Sequence, residues 1–290
     1  MAGIAFPNPV GLAAGVDKDG RAIDGFFGLG LGSVEIGTLT PLPQPGNPKP
    51  RIFRLPEDRA VINRLGFNNG GLDAALDRAK AHGRGKGVLG INVGANKDAS
   101  DRTADYVHGV TRAAPHANYI TINISSPNTP GLRDLLAACT AAKGTTPIFL
   151  KVAPDLEPAD IDDIARAAID NRIDALIVNN TTIGRPGLRS ANATETGGLS
   201  GAPLAPLARQ RLTDFRKATG AAIPLISVGG IGSGAEAYAR LRAGASLVQL
   251  YTALVYEGPG LPARMLRELD ALLTRDGFAT IADAIGVDAR

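Results

Sequence analysis

Short aliphatic runs recur along the whole chain, and between them the apolar positions fall at helical spacing. The runs are NPVGLAAG (8–15), LGSVEIGT (31–38), GVLGINVG (87–94), YITINIS (119–125), PIFLKVA (147–153), ALIVNNT (175–181), IPLISVGG (223–230) and SLVQLYTA (246–253). Each is rich in Val, Ile and Leu with little strict alternation, as in parallel strands covered on both faces. The segments between them include PADIDDIARAAIDN and SGAEAYARLRAG, the latter ending on Gly244, a helix stop. Eight alternating strand and helix units predict a (β/α)8 barrel in one domain spanning 1–290. An open doubly wound sheet is the alternative, and even placement of the units favours closure. One connection breaks the rhythm. Residues 39–86 are far longer than a strand-to-helix loop requires. They hold PLPQPGNPKP, then RIFRL and VINRL flanking PEDR, which reads as a β-hairpin, and then the polar, glycine-rich NRLGFNNGG. The insertion is expected to cover the top face of the barrel, the plainer reading being surface decoration.

Composition narrows the chemistry. With 44% hydrophobic residues but only 4% aromatic and no Trp, the core must be aliphatic. The charge of +3 is scattered rather than gathered into a stripe, which argues against nucleic acid and suits small anionic ligands. No apolar run reaches the length of a membrane span, and no signal peptide is visible. The single cysteine, Cys139, excludes an internal disulfide. The three histidines, His82, His108 and His116, fall away from the strand ends, so neither a metal set nor a Ser-His-Asp triad is expected.

Barrel enzymes work from the C-terminal ends of their strands. Read in order, those ends offer Lys18, Thr38, Asn92, then Asn123 with Ser125 and Ser126, Lys151, then Asn179, Asn180 and Thr181, Gly229 and Gly230, and Tyr251 with Thr252. One polar end would merely solvate a loop. Eight of them predict a polar ring around a flat ligand. SVGGIGSG (227–234) follows the seventh strand and leads into a helix, an arrangement suited to phosphate, and GGLSG (197–201) adds a second glycine-rich wall. The turn SSPNTPG (125–131) is unusually constrained for a plain loop.

These motifs, in this order, resemble the dihydroorotate dehydrogenases, and more narrowly their quinone-using class. The resemblance runs from residue 6 to the C-terminus through NPVGLAAGVDKDG, IGTLTPLPQPGNPKPRIFRL, NRLGFNNGG, GINVGANKD, NISSPNTPGLRDL, LKVAPDL, VNNTT, ETGGLSGAPL, SVGGIGSG and GASLVQLYTAL. It implies a barrel holding FMN that oxidises dihydroorotate to orotate in pyrimidine synthesis, with a quinone as electron acceptor. It implies Ser126 as catalytic base, where the soluble class has a cysteine, with Thr129 orienting it. The implied FMN contacts are Ala14, Gly15, Val16, Asp17, Lys18, Thr38, Asn92, Asn123, Lys151, Asn179, Gly201, Gly230, Tyr251 and Thr252. The implied substrate contacts are Lys18, Asn63, Arg64, Leu65, Gly66, Phe67, Asn123, Asn128, Asn180 and Thr181. Lys18 and the Arg64 region would balance the substrate carboxylate, and Lys151 the charge of the reduced flavin. Two positions depart from the family pattern: Asn179 stands where Thr is usual, and Ala95 where Lys is usual. The family's N-terminal membrane-docking helices have no room in a chain that starts at the first barrel elements. The resemblance thus implies peripheral attachment to the cytoplasmic face of the membrane if those helices are present, and a cytoplasmic protein for the chain as given. The alternative functional reading is an FMN barrel with another acceptor or impaired turnover.

Overall fold

A computed structural model describes residues 1–83, 85, 87–124 and 131–289. In chain order its strands are β1 (Val10–Leu12), β2 (Ser33–Leu39), β3 (Ile52–Leu55), β4 (Ala60–Asn63), β5 (Val88–Val93), β6 (Tyr119–Asn123), β7 (Ile148–Val152), β8 (Ala175–Val178), β9 (Gly198–Gly201), β10 (Leu225–Val228) and β11 (Ala245–Leu250). Eight of them close a parallel barrel in the order β1-β11-β10-β8-β7-β6-β5-β2. The helices are α1 (Ile23–Phe27), α2 (Leu72–His82), α3 (Arg102–Ala113), α4 (Leu132–Ala142), α5 (Pro158–Asp170), α6 (Ala205–Thr219), α7 (Gly234–Arg242), α8 (Thr252–Glu257), α9 (Leu261–Asp276) and α10 (Ile281–Ala284). Each of α1 to α7 lies in sequence between two successive barrel strands, giving the expected (β/α)8 barrel. Helix starts follow local chemistry. Asp101 caps α3 by accepting from Ala104 N at 3.0 Å, and α5 opens on Pro158 within a Glu157/Asp160 capping box. No helix among the described residues is long and apolar enough to cross a membrane.

The strands have two unlike faces. Outward residues such as Val34, Ile36, Ile91, Ile120, Ile122, Leu150, Leu176 and Val248 pack under the helices in one aliphatic cluster. Cys139 of α4 belongs to that cluster, and burial pushes its thiol up to about 12, so it is an inert core residue. The inward face changes character with height. Its lower part is apolar: Tyr119 and Phe149 stack with ring centroids 4.3 Å apart, beside Val88, Ile177, Ile226 and Leu247. Met1, Ala2, Ile4 and Phe6 pack against this cluster. Gly90 makes the arrangement possible, because a Cβ there would lie 2.2 Å from the Tyr119 ring. Above this floor the inward residues are polar.

Two connections, rather than one, are long. The segment after β2 carries the expected hairpin, β3 and β4, joined through Pro56–Asp58. A second long connection, residues 179–204 between β8 and α6, was not anticipated. It contributes β9, which pairs antiparallel with β4 from Ala60↔Gly201 to Asn63↔Gly198. GGLSG is therefore a strand as well as a glycine-rich wall, and it ties the insertion to the far side of the barrel. The predicted runs also overshoot the strands: residues 13–15, 179–181, 229–230 and 251–253 lie beyond the last ladder pairs.

Candidate active site

A cavity of about 420 Å³ opens at the C-terminal ends of the barrel strands, within the range typical of small-molecule sites. Most of the polar ring read from the strand ends faces it: Lys18, Thr38, Asn123, Lys151, Asn179, Asn180, Thr181, Tyr251 and Thr252, with backbone from Ala14, Gly15, Gly201, Gly229 and Gly230. Asn63, at the end of β4, and Arg64, Leu65, Gly66 and Phe67, just after it, also line it. Val16, Asp17 and Asn92 are not in the lining. The Asp17 carboxylate is committed to the backbone, accepting from Arg21 N and Ala22 N at 2.8 Å each. Asn92 sits one layer deeper and reaches the cavity only through Thr38, whose Oγ1 donates to Asn92 Oδ1 at 2.7 Å. Ala95 is buried in the helix-facing core. Ser125, Ser126, Asn128 and Thr129 lie outside the described residues.

The two lysines are both held in low-dielectric surroundings. Burial, helped by the nearby Arg51 and opposed by Asp19, lowers Lys18 to about 8. Lys151 is 6% exposed, and its pKa is lowered by burial while the charge of Glu35 pulls the other way. Among the described residues no carboxylate lies within ion-pair distance of either ammonium. An unpaired cation buried like Lys151 is costly unless an anion or a polar ligand completes it, and half-buried Lys18 bears part of the same cost. Arg64 behaves differently. Its Nη1 donates to Glu195 Oε2 at 2.8 Å and to Thr196 O at 2.9 Å, and its guanidinium lies over the Phe53 ring. Arg64 lines the cavity, but its charge is spent on Glu195, so Lys18 is the better partner for an anionic substrate.

The insertion is braced from several sides. Asn47 Nδ2 donates to Arg64 O at 2.9 Å, Gln44 Nε2 to Gly66 O and Phe67 O at 3.1 Å, and Asn69 Nδ2 to Thr40 Oγ1 at 2.9 Å. Tyr256 of α8 donates to Ala60 O at 2.6 Å, and Thr252 Oγ1 donates to Ser200 Oγ at 2.8 Å. Asn47, Arg59, Ser200, Gln249 and Tyr256 line the cavity and escaped the reading of strand ends. Most of them lie on the two long connections or on α8. Gln249 is an exception, a polar residue inside an apolar strand; Glu35 in VEIG is a second such residue, one layer below the cavity. That pattern was visible in the sequence.

The residues fit a flavin mononucleotide. Asn179 is fully buried at the cavity, and neither its Nδ2 nor its Oδ1 has a partner among the described residues. The loop after β10 forms a backbone cradle: Gly230 has φ +72° and a Cβ there would lie 2.5 Å from Ala205, so only glycine fits. Within that loop the N–H groups of Gly230, Ile231 and Gly232 donate to no described group, which leaves them for phosphate oxygens. The N–H of Gly234, by contrast, is already taken by Glu268 Oε2 at 2.6 Å. Arg240 fixes the cradle from beneath. Its fully buried guanidinium donates to Ser227 Oγ at 2.9 Å and Gly229 O at 3.0 Å, and pairs with Glu236 at 2.7 Å. No group of His, Cys, Asp and Glu that could hold a metal occurs among the described residues.

Comparison with known proteins points the same way. Residues 1–273 match the family model described as dihydroorotate dehydrogenase. The chain is 61% identical over 297 residues to the dihydroorotate dehydrogenase (quinone) of Erythrobacter litoralis, covering 99% of this chain and 87% of that protein. It is 57% identical over 304 residues to the corresponding protein of Sphingopyxis alaskensis, covering 100% and 85%. Its fold superimposes on an Eimeria tenella DHODH crystallised with ferulenol, with TM-score 0.93, 42% identity and coverage of 99% and 87%. With a closed barrel, a cavity at the expected strand ends and this degree of identity over nearly the whole chain, the protein belongs to the dihydroorotate dehydrogenase family.

Proposed function

We propose that the protein oxidises dihydroorotate to orotate, with FMN as cofactor and a quinone as the eventual electron acceptor, as a step of pyrimidine synthesis. The observation that carries this reading is the convergence of two lysines, Lys151 buried and Lys18 half-buried, and five asparagines on one cavity, in a chain 61% identical to a quinone-dependent relative. FMN supplies an acceptor for the hydride that leaves C6 of the substrate. The remaining work falls to the protein. Lys18 binds the substrate carboxylate, as its place at the cavity without an acidic partner among the described residues suggests. Asn123 and Asn180 meet the pyrimidine ring, since an amide both donates and accepts and can match its alternating N–H and C=O groups. Lys151 holds positive charge where electrons arrive, with Glu35 sustaining that charge from below. Asn179 and the cradle of Gly229, Gly230 and Gly201 hold the cofactor. Ser126, carried over from the family motif, removes the C5 proton, with Thr129 orienting its hydroxyl. The lid strands β3, β4 and β9 exclude water, without which a serine is a feeble base.

The test is anaerobic mixing of purified, flavin-loaded protein with dihydroorotate. Rapid bleaching of the flavin absorbance and formation of one orotate per flavin are expected. Persistent yellow colour with no orotate would overturn the reading, and re-oxidation by a soluble quinone analogue tests the acceptor separately.

A further inference from the structure

Glu35 is a carboxylate at 0% exposure in the centre of the barrel, one layer below the ligand cavity. Three donors converge on it: Asn92 Nδ2 on Oε1 at 2.8 Å, and Gln249 Nε2 and Tyr119 OH on Oε2 at 2.9 and 3.1 Å. Two of these are amide nitrogens, which cannot accept, so their direction is fixed. From Asn92 a chain of hydrogen bonds climbs to the cavity with a single polarity. Asn92 Oδ1 accepts from Thr38 Oγ1 at 2.7 Å. Thr38 Oγ1 accepts from Asn123 Nδ2 at 2.9 Å. Asn123 Oδ1 accepts from Asn180 Nδ2 at 3.2 Å, and Asn180 Oδ1 accepts from Thr181 N at 2.8 Å. Each amide could by itself sit either way round. A carboxylate at the base, which only accepts, and a backbone N–H at the top, which only donates, leave one consistent orientation for the whole chain.

We infer that Glu35 is a positioning residue for substrate recognition: it sets the direction of the Asn92–Thr38–Asn123–Asn180 chain and so decides which amide atoms the cavity presents. This inference rests on the proposed function, because it takes Asn123 and Asn180 as the groups that meet the pyrimidine. Reversal of the chain would turn a donor into an acceptor against the ring and set carbonyl against carbonyl. The role belongs to the acceptor atom rather than to the charge. A glutamine at this position keeps an oxygen for Asn92, and its NH2 faces the Gln249 amide, which by turning over offers it Oε1, an atom buried and unpartnered among the described residues.

The experiment compares Glu35→Met and Glu35→Gln with the parent protein, all loaded with FMN. Orotate affinity is measured by its perturbation of the flavin spectrum, dihydroorotate kinetics are measured in parallel, and thermal melting reports the fold. Glu35→Met should weaken orotate binding about tenfold or more, as expected for amides left without their partner, and raise KM for dihydroorotate more than it lowers kcat. Glu35→Gln should restore most of the affinity. If Glu35→Met binds orotate like the parent, or if Glu35→Gln loses as much as Glu35→Met, the inference is wrong, the latter result assigning Glu35 to charge balance instead. Should Glu35→Met not fold, Thr38→Val breaks the same chain above an intact Glu35 and must give the same loss of orotate affinity. Parent-like binding by Thr38→Val overturns the inference. A parent protein that binds no orotate at all would instead sink the proposed function on which it stands.

Discussion

Lys18 is half-buried and Lys151 buried, and the two cations answer to different neighbours. Burial and Arg51 bring Lys18 to about 8. Its ammonium is charged below that value and neutral above it, so affinity for an anionic ligand must fall as pH rises through it. Orotate binding, titrated from pH 7 to 9, should weaken steadily in the parent protein and lose this dependence in Lys18→Met. A flat profile in the parent would remove Lys18 from the carboxylate site. Lys151 has Glu35 nearby to sustain its charge, and Lys151→Ala should slow flavin reduction by roughly 10²–10³-fold, the usual scale for one lost electrostatic contact in a dry site. Stopped-flow traces that overlay the parent's would exclude that role. For Ser126→Ala, flavin content should hold while reduction slows by about 10²–10⁴-fold, the scale of general-base catalysis. Undiminished reduction would point to another base.

At the scale of elements, the loop between β10 and α7 is held by opposed constraints. Gly230 is in the left-handed region against Ala205, and Arg240 reaches back along its own helix to grip Gly229 O and Ser227. Gly230→Ala adds a Cβ where Ala205 already stands and strains the backbone by about 1–3 kcal/mol. It should lower the melting temperature and release flavin on gel filtration while leaving the far-ultraviolet dichroism unchanged. Full flavin retention would show that the loop is not the phosphate cradle. The three-stranded sheet joins two connections that are distant in the chain, residues 52–63 and 198–201. Its central strand β4 and its edge strand β9 are tied to α8, through Tyr256 to Ala60 O and Thr252 to Ser200.

For the whole molecule, the barrel divides labour by height. Its floor is aliphatic and aromatic, plugged by the first residues of the chain; its middle is a polar layer around Glu35; its mouth is the ligand cavity. Ligands that bind only the folded state add stability by mass action, about 2.7 kcal/mol at a hundredfold excess over Kd. Saturating orotate should therefore raise the melting temperature of the flavin-loaded protein and slow amide exchange in β3, β4 and β9. An unchanged melting curve would mean that the cavity does not take orotate.

The periodicity of apolar positions determined the barrel, because strands buried on both faces must be aliphatic throughout and each needs a helix to cover it. It also determined most of the cavity, since side chains at eight strand ends of one barrel share one mouth: Lys18 and Thr252, at opposite ends of the sequence, meet there. Tertiary structure alone decided the rest. That β9 joins the β3–β4 hairpin follows from pairing across more than 130 residues, which no local pattern encodes. That Arg64 spends its charge on Glu195, and Asp17 on the backbone, depends on which partner each side chain reaches. Glu35 was legible as an acid in an apolar strand, but its three donors come from β5, β6 and β11, and only closure of the cylinder brings them to one point.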